Sequence, residues 1–259
     1  MKIGILYCGF NSREHVEHTI SPWVKARDEK LLGDEWVVAA ISVPFKEYEN
    51  TKFNADDGTG DYLSTQSLDY LIREPKFISE TDARNLALRK LLDSKCELIV
   101  LADADEYFTL EQIKNLVEFI KKDKLTTWFK FSYKNYIFDE KTYLVEPFQP
   151  PRAFWVTSGG YRLNNFRHDN EVLYHGIITR DIKDFEYFSR KIIPQNVAWI
   201  KHLTWINNEK TKAKSEYQLT RWGSSLCSYK WCDRKNSLVF NLEYFTRFNK
   251  PIPEVIVEK

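Results

Sequence analysis

The length, composition and charge of the chain narrow the kinds of protein it can be. The sequence has 259 residues, of which 43% are hydrophobic and 29% charged, and its formal net charge at pH 7 is +1. These values are typical of a soluble globular protein with enough residues for a full core, and they exclude a disordered or fibrous chain. From Lys201 onward, lysine and arginine outnumber aspartate and glutamate by 11 to 6. That excess suits a phosphate-bearing ligand or a solvated surface equally well.

The N-terminus and the cysteines indicate the compartment. Residues 1–6 run straight into a predicted strand without a signal-peptide pattern, and no apolar stretch approaches the length that spans a membrane. The four cysteines are Cys8, Cys96, Cys227 and Cys232. Because they lack metal-type spacing, we expect them to be reduced and structural. We therefore expect a cytoplasmic protein without a membrane span.

The first half of the chain alternates between predicted strands and predicted helices. In chain order the pattern predicts a strand over residues 2–8, a helix over 12–29, a strand over 36–43, a polar loop over 44–61, a helix over 62–73, a short strand starting near 77, a helix over 79–95, a strand over 98–102 and a helix over 110–122. This alternation is typical of a parallel α/β sheet.

After residue 125 the pattern becomes aromatic and richer in strand signals. It predicts a strand over 126–138 with a hairpin partner over 141–146, a short strand over 153–156, a strand over 197–205 and a helix over 207–222. The chain shows no internal repeat and no clear interdomain linker. We therefore predict one α/β domain over residues 1–259, with a Rossmann-type mixed sheet that is flanked by helices and largely parallel in its N-terminal half.

The predicted strand over residues 98–102 ends in a cluster of carboxylates. Asp103, Asp105 and Glu106 follow an unbroken apolar run, which is the pattern of a strand buried on both faces. Open parallel sheets bind ligands at the carboxyl ends of their strands, and carboxylates crowded there repel one another unless they share a cation or a proton. A hard divalent ion, Mg²⁺ or Mn²⁺, is the usual cation of such an oxygen-rich site. The alternative is a simple turn, since Asp is common after strands.

Three segments together resemble a known enzyme family. They are Thr81-Asp82-Ala83-Arg84-Asn85-Leu86-Ala87, the cluster Asp103-Ala104-Asp105-Glu106 after the next strand, and His202-Leu203-Thr204-Trp205 before a lysine-rich helix. In order and spacing they resemble the core of GT-A-type glycosyltransferases, in particular the family two class. The resemblance covers roughly residues 3–215. It implies a GT-A-like fold, with a nucleotide-sugar-binding half at about residues 1–125 and an acceptor-side, closing half at about residues 126–259.

The resemblance implies a donor and a metal ion. The donor is a nucleotide-diphospho-sugar, with a UDP-sugar as the first expectation, and the metal is Mn²⁺ or Mg²⁺. Asp105 is expected to ligate the metal that bridges the two phosphates, and His202 to be a further ligand. Asp103 is expected to face the ribose or sugar, or to join the metal ligands. The residues that the resemblance places at the donor are Phe10, Asn11, Arg13, Arg84, Asp103 and Lys210.

The resemblance also implies inverting transfer to a hydroxyl group of a glycan or another hydroxyl compound. Such a transfer needs a carboxylate base to deprotonate the acceptor. Glu171 is the first choice for this base, Asp169 is the second, and Asp181 is a further candidate. A DNA acceptor is a weaker expectation, because the basic excess after Lys201 is small for duplex binding.

The sequence departs from the family pattern after the second predicted strand. Family members usually carry there an acidic residue that reads the nucleotide base, whereas residues 42–45 of this chain are Ser-Val-Pro-Phe. Asp56, Asp57 or Asp61 could substitute for it. The identity of the bound base therefore stays open.

Other functions fit parts of the pattern. A nucleotidyltransferase also places Asp residues at a strand end, but its first loop is rich in Gly and basic residues, unlike Cys8-Gly9-Phe10-Asn11. A phosphatase of the aspartyl-phosphate type needs Thr where this chain has Tyr107. A non-catalytic binding module with a decayed site is the alternative from a different class. At the level of residues, His202 could be a core histidine, and Arg84 could pair with a carboxylate of its own helix.

Overall fold

The fold is built from six helices and sixteen strands within the residues that the computed structural model describes. Those residues are 1–46, 49–50, 56–126, 128–137, 139–145, 149–158, 161–162, 190–206, 208–222, 227, 229–250 and 252–258. In chain order the elements are β1 (Lys2–Cys8), α1 (Arg13–Asp28), β2 (Glu35–Ser42), α2 (Thr59–Ser64), β3 (Tyr70–Arg73), α3 (Glu80–Asp93), β4 (Leu98–Asp103), β5 (Glu106–Tyr107), α4 (Leu110–Lys121), β6 (Trp128–Lys130), β7 (Tyr133–Ile137), β8 (Thr142–Val145), β9 (Pro151–Trp155), β10 (Thr157–Ser158), β11 (Tyr161–Arg162), β12 (Arg190–Ile192), β13 (Ile200–Trp205), α5 (Asn208–Trp222), β14 (Tyr229–Cys232), β15 (Ser237–Phe240), α6 (Leu242–Arg247) and β16 (Val255–Val257).

The main sheet has seven strands in the order β12-β6-β9-β4-β1-β2-β3. The four strands from the first half of the chain, β4, β1, β2 and β3, are parallel to one another. β9 runs antiparallel between β4 and β6, which makes the sheet mixed. The predicted α/β class, with a mixed sheet that is parallel in its N-terminal half, is confirmed.

Helices cover both faces of the main sheet. Alternate residues of β1 point to opposite faces, because side chains of a strand alternate. Ile5 packs in the layer that contains α1 and α4, and Leu6 packs in the layer that contains α3. Ile5 and Leu6 are both fully buried, so the run of apolar residues in β1 reflects a strand that is covered on both faces.

Two of the helices begin at caps that the sequence makes recognisable. Ser79 precedes α3, and its side-chain oxygen accepts a hydrogen bond from the Asp82 N–H group at 3.0 Å. Thr109 and Gln112 form a reciprocal capping box at the start of α4. In chain order, α3 precedes the strand that ends in the carboxylate cluster and α4 follows that cluster.

A second sheet of five strands has the order β16-β8-β7-β13-β5. β5 directly follows the carboxylate cluster and pairs antiparallel with β13, with Glu106 opposite His202. The Leu203 N–H group also donates to the Asp105 carbonyl oxygen at 2.8 Å. These pairings bring the two distant segments of the family resemblance into direct contact.

Several predicted elements differ from the structure. The predicted helix over residues 62–73 is wrong, because this stretch contains the end of the short helix α2 and the strand β3. β3 pairs with the open edge of β2, and Asp69 accepts a hydrogen bond from the Val38 N–H group at 2.8 Å, so tertiary pairing overrides local propensity. The predicted strand over 126–138 is divided between β6 and β7, which belong to different sheets. The hairpin of β7 with β8 is confirmed.

Two further expectations concern cysteines and membrane segments. All four cysteines are free, as predicted, and three of them are buried. Across the described ranges, none of the helices combines the length and the apolar character needed to cross a bilayer.

Candidate functional site

A cavity of about 290 Å³ opens at the carboxyl ends of β1 and β4. The chain passes from β1 to β2 and β3 on one side and then to β4 on the other side. Open α/β sheets bind ligands in the crevice where the strand order reverses in this way. The lining residues are Cys8, Phe10, Asn11, Ser12, Glu14, His15, Phe45, Glu80, Arg84, Asp103, Ala104, Asp105, Arg152, His202 and Lys214.

The loop after β1 forms one wall of the cavity and is tied to the residues that begin α2. The Ser12 N–H group donates to Thr59 Oγ1 at 2.8 Å, and the Arg13 N–H group donates to Asp57 Oδ2 at 2.9 Å. Asp57 Oδ1 also accepts from the Thr59 N–H group at 3.1 Å. Asp57, one of three candidates for reading the nucleotide base, therefore holds this loop in place.

Three residues of this loop were predicted to contact the donor. The structure places two of them in the cavity wall and the third away from it. Phe10 and Asn11 line the cavity. Asn11 has a φ of 52°, a left-handed conformation that Asn tolerates better than most residues. The Arg13 guanidinium lies over the ring of Tyr62, 4.6 Å from its centroid, and Arg13 is not among the described residues that line the cavity.

Gly9 allows the carboxylate loop to lie against the end of β1. A Cβ atom at Gly9 would lie 2.8 Å from the Cβ atom of Ala104, closer than real Cβ contacts. The Ala104 N–H group donates to the Cys8 carbonyl oxygen at 2.8 Å. The Asp103-Ala104-Asp105 turn is therefore packed and hydrogen-bonded against β1, with the two aspartates on either side of the contact.

Asp103 faces two buried arginines. Its Oδ1 atom accepts from Arg84 Nη2 at 2.8 Å, and its Oδ2 atom accepts from Arg152 Nη2 at 2.9 Å. Arg84 also pairs with Glu80 at 2.9 Å. Burial alone would lower the pKa of Arg84, but the nearby anionic groups, Asp103 first, raise it above its usual value. Both oxygens of Asp103 are thus engaged by guanidinium groups.

Glu106 is fully buried behind this pair. Arg152 binds it in a bidentate manner, with Nη2 2.6 Å from Oε1 and Nε 3.0 Å from Oε2, and the Tyr133 hydroxyl donates to Oε1. Burial raises the pKa of the Glu106 carboxyl, and the Arg152 guanidinium opposes that rise. Since all of these partners donate, Glu106 accepts as a carboxylate, and its charge is compensated inside the protein.

Asp105 turns away from the arginines toward His202 and Lys214. Its Oδ2 atom lies 3.5 Å from His202 Nε2 and 3.8 Å from Lys214 Nζ. The other ring nitrogen of His202 lies 2.5 Å from Asn135 Oδ1. Lys214 comes from α5, so this corner of the cavity joins the end of β4, the strand β13 and the helix that follows it.

The described side chains fit a cation that is shared with a bound ligand. Within the described ranges, no three His, Cys, Asp or Glu side chains gather so as to hold a metal ion by themselves. Asp105 and His202 nevertheless point a carboxylate oxygen and a ring nitrogen at each other across 3.5 Å. Mg²⁺ and Mn²⁺ are often held by one or two protein groups, with water and phosphate oxygens completing the shell. A carboxylate oxygen and an imidazole nitrogen, as Asp105 and His202 present here, are chemically suitable donors for an ion of this kind.

Some predicted residues lie outside the described part of the chain. Glu171, Asp169 and Asp181, the candidates for the base, are among them. Lys210 lies in α5, but its side chain is not described. The lysine of that helix that lines the cavity is Lys214.

Sequence reasoning missed three residues of the site. Arg152, Tyr133 and Asn135 reach it from β9 and β7, which enter the sheets by antiparallel pairing or by a long crossover. The one local signal was the alternation of Tyr133 and Asn135, which places both on the same face of a strand. Arg152 directly follows two prolines, and nothing nearby in the sequence indicates a buried charge.

Comparisons with known proteins give structural neighbours only. No family model matches the chain, and no curated protein matches it. Staphylococcus aureus TarS 1-349 in complex with UDP-GlcNAc is similar at 16% identity and a TM-score of 0.37, over 55% of this chain and 39% of that chain. A second crystal structure of S. aureus TarS 1-349 is similar at 12% identity and a TM-score of 0.44, over 88% of this chain and 70% of that chain.

A third neighbour is UDP-glucose phosphorylase from Trypanosoma brucei, at 9% identity and a TM-score of 0.35, over 96% of this chain and 69% of that chain. The chain thus spans about two fifths of the TarS chain with UDP-GlcNAc. Because the TM-scores are all below 0.5, the function of this chain has to be inferred from the chemistry of its own site.

Proposed function

We propose that the protein is a metal-dependent glycosyltransferase that moves a sugar from a nucleotide-diphosphate donor to an acceptor hydroxyl, with inversion at the sugar carbon. The observation that carries the proposal is that His202 Nε2 and Lys214 Nζ both lie within 3.8 Å of the Oδ2 atom of Asp105. This corner lies at the strand-order reversal of an open α/β sheet, beside a cavity of about 290 Å³.

Asp105 and His202 would hold the Mn²⁺ or Mg²⁺ ion. When bound, the ion would neutralise the charge that builds on the diphosphate leaving group, which is a Lewis-acid contribution to the transition state. Lys214 adds a positive charge 3.8 Å from the same carboxylate, where phosphate oxygens would lie. Phe10 and Asn11 also line the cavity and would lie beside the nucleoside.

The two buried arginines pair with Asp103 and Glu106 but not with Asp105, so the three carboxylates are in different charge environments. Arg84 and Arg152 compensate Asp103 and Glu106, so these carboxylates can remain charged in the cavity wall. Asp105 instead faces His202 and Lys214. We propose that Asp103 reaches the donor from this held position, whereas Asp105 ligates the metal.

The acceptor side of the proposal rests on the sequence. Glu171, or Asp169 in its place, would accept the proton of the attacking hydroxyl, and the acceptor would be a glycan or another hydroxyl compound. UDP-sugars are the first donors to try, because the family resemblance implies them.

The proposed function predicts metal-dependent binding of a nucleoside diphosphate. Thermal unfolding would be followed with UDP, GDP, ADP and CDP, each with and without Mn²⁺. A ligand at 100 times its dissociation constant stabilises a protein by about 2.7 kcal/mol, which corresponds to an increase in Tm of roughly 5–10 °C for a chain of this size. We expect this increase with one diphosphate and only with Mn²⁺ present. The absence of any shift, or an equal shift in the Asp105→Asn variant, would contradict the proposed donor site.

Lys214 is predicted to contribute to donor binding. The Lys214→Met variant removes a charge-assisted contact worth about 1.5–3 kcal/mol, so kcat/KM for the donor should fall about 10- to 100-fold. The matched control is Lys212→Met on the same helix, because Lys212 pairs with Asp233 at 2.6 Å and is not among the described residues that line the cavity. Steady-state kinetics with varied donor would measure both variants. Equal losses in the two variants would show that Lys214 has no specific contact.

A further inference from the structure

We infer that Asn135 is a positioning residue that sets the tautomer and the orientation of His202. This inference rests on the proposed function, in which the Nε2 atom of His202 ligates the metal. It adds a residue from β7 that neither the sequence pattern nor the family resemblance identified.

The contact between the two side chains determines which ring nitrogen carries the proton. Asn135 is 5% exposed, and its Oδ1 atom lies 2.5 Å from His202 Nδ1. β7 and β13 are parallel neighbours, with Asn135 and His202 in register, so the backbone holds the pair together. An amide oxygen can only accept a hydrogen bond, so with the Asn135 amide in this orientation the proton of a neutral His202 ring belongs on Nδ1. In the neutral ring this leaves the Nε2 lone pair directed toward Asp105.

A second residue of the same strand fixes the plane of the ring. The Tyr133 ring is stacked on the His202 ring, with centroids 4.8 Å apart and planes 4° from parallel. The Tyr133 hydroxyl donates to the buried Glu106 carboxylate, which is itself held by Arg152. The imidazole is therefore held at its edge by Asn135 and on its face by Tyr133.

This arrangement is the one that a metal-binding histidine needs. Metal ions bind the unprotonated nitrogen of a neutral imidazole, and an acceptor at the other nitrogen fixes that tautomer and increases the basicity of the ligand. Removal of such a partner typically weakens metal binding 10- to 100-fold. The orientation of Nε2 toward Asp105 thus depends on an oxygen acceptor at position 135.

The first measurement is the tautomer of His202 by ¹⁵N NMR on protein labelled at its five histidines. At pH 8.5 without metal, we expect the Nδ1–H form for the wild-type protein. The Asn135→Leu variant keeps the size of the side chain but removes the acceptor, so we expect the Nε2–H form to become populated. The Asn135→Asp variant keeps an oxygen acceptor and should keep the Nδ1–H form. An Nε2–H form in the wild-type protein would overturn the inference whether or not either variant folds.

The second measurement is the affinity for Mn²⁺, from water proton relaxation in the presence of UDP. We expect the dissociation constant to rise 10- to 100-fold in Asn135→Leu and to stay near the wild-type value in Asn135→Asp. A wild-type affinity and tautomer in Asn135→Leu would overturn the inference. The His202→Ala variant tests the proposed function separately from the inference about Asn135. Unchanged Mn²⁺ binding in His202→Ala would remove His202 from the metal site. The tautomer of His202 is measured without metal, so it tests the role of Asn135 whatever the result for His202→Ala.

Discussion

Replacing Asp105 by asparagine is expected to reduce kcat/KM of sugar transfer about 10³-fold or more, while the protein stays folded. The substitution removes the carboxylate that faces His202 Nε2 at 3.5 Å and thereby the charged ligand of the proposed metal site. Metal stabilisation of a leaving group contributes several kcal/mol to the transition state, and each 1.36 kcal/mol corresponds to a factor of ten in rate. Turnover with a donor identified by the thermal-shift panel would measure the loss.

The control for this prediction is Asp28→Asn. Asp28 lies at the end of α1, its side chain is 55% exposed, and it pairs with Arg27 rather than with residues of the cavity. Asp28→Asn should change the free energy of unfolding by less than about 0.5 kcal/mol, as surface substitutions usually do. Asp105→Asn keeps the size of the side chain, so it should also leave the protein folded at the assay temperature. Near-normal transfer by Asp105→Asn would reject the metal-dependent mechanism.

Replacing Arg152 by methionine is expected to destabilise the protein by about 3–5 kcal/mol. Arg152 is the bidentate partner of Glu106, which is fully buried, and it also binds Asp103 at 2.9 Å. Loss of the guanidinium leaves a buried carboxylate without its cation, and this is what makes breaking a buried pair costly. The expected decrease in Tm is roughly 10 °C, measured by thermal unfolding and checked by urea denaturation.

The raised pKa of Glu106 predicts the direction in which the stability of the Arg152→Met variant changes with pH. Burial raises the pKa of Glu106, and the variant lacks the guanidinium that opposes the rise. The native state then binds a proton at pH values where the unfolded state has lost it, so the free energy of unfolding falls as pH increases from the unfolded to the folded pKa. The variant should therefore be closer to the wild-type stability at pH 5 than at pH 8.

Two further variants test the origin of the loss at Arg152. Arg73→Met removes an arginine that is 41% exposed and pairs with Asp61 at 2.9 Å, so it should cost less than about 1 kcal/mol. Adding Glu106→Gln to Arg152→Met removes the uncompensated charge and should restore part of the stability. If the double variant were no more stable than Arg152→Met, the buried charge would not be the cause.

The sequence predicted well the elements whose cause is local. The strand Lys2–Cys8 was predicted with its observed bounds, and α3 and α4 begin within one residue of their predicted starts. Continuous apolar runs, helical periodicity and capping side chains all act within about a dozen residues, so they can be read without the fold. The same holds for the position of the carboxylate cluster, because a buried parallel strand that ends in Asp103 delivers it to the ligand-binding edge.

Elements that depend on distant partners were predicted poorly. β3 was predicted as part of a helix, because the open edge of β2 that recruits it lies some thirty residues earlier in the chain. β6 and β7 were predicted as one strand, although they belong to different sheets. Neither choice can be made from local propensity, since packing and strand partners decide it.

By itself, the sequence determined the α/β class, the first strand and the strand end at which carboxylates collect, because these follow from hydrophobic periods and caps over short stretches. Only the tertiary structure decided how those carboxylates differ. β9 brings Arg152 beside β4, and the pairing of β5 with β13 brings His202 beside Glu106. Asp103 consequently faces two arginines and Asp105 faces His202 and Lys214. The physical reason is that the charge environment of a side chain is set by groups within a few ångströms. Arg84 lies on the preceding helix, but Arg152, His202 and Lys214 are at least 49 residues along the chain from the aspartate that each of them faces. Sheet pairing and the helix after β13 have to bring them there, and no local pattern in the sequence records that.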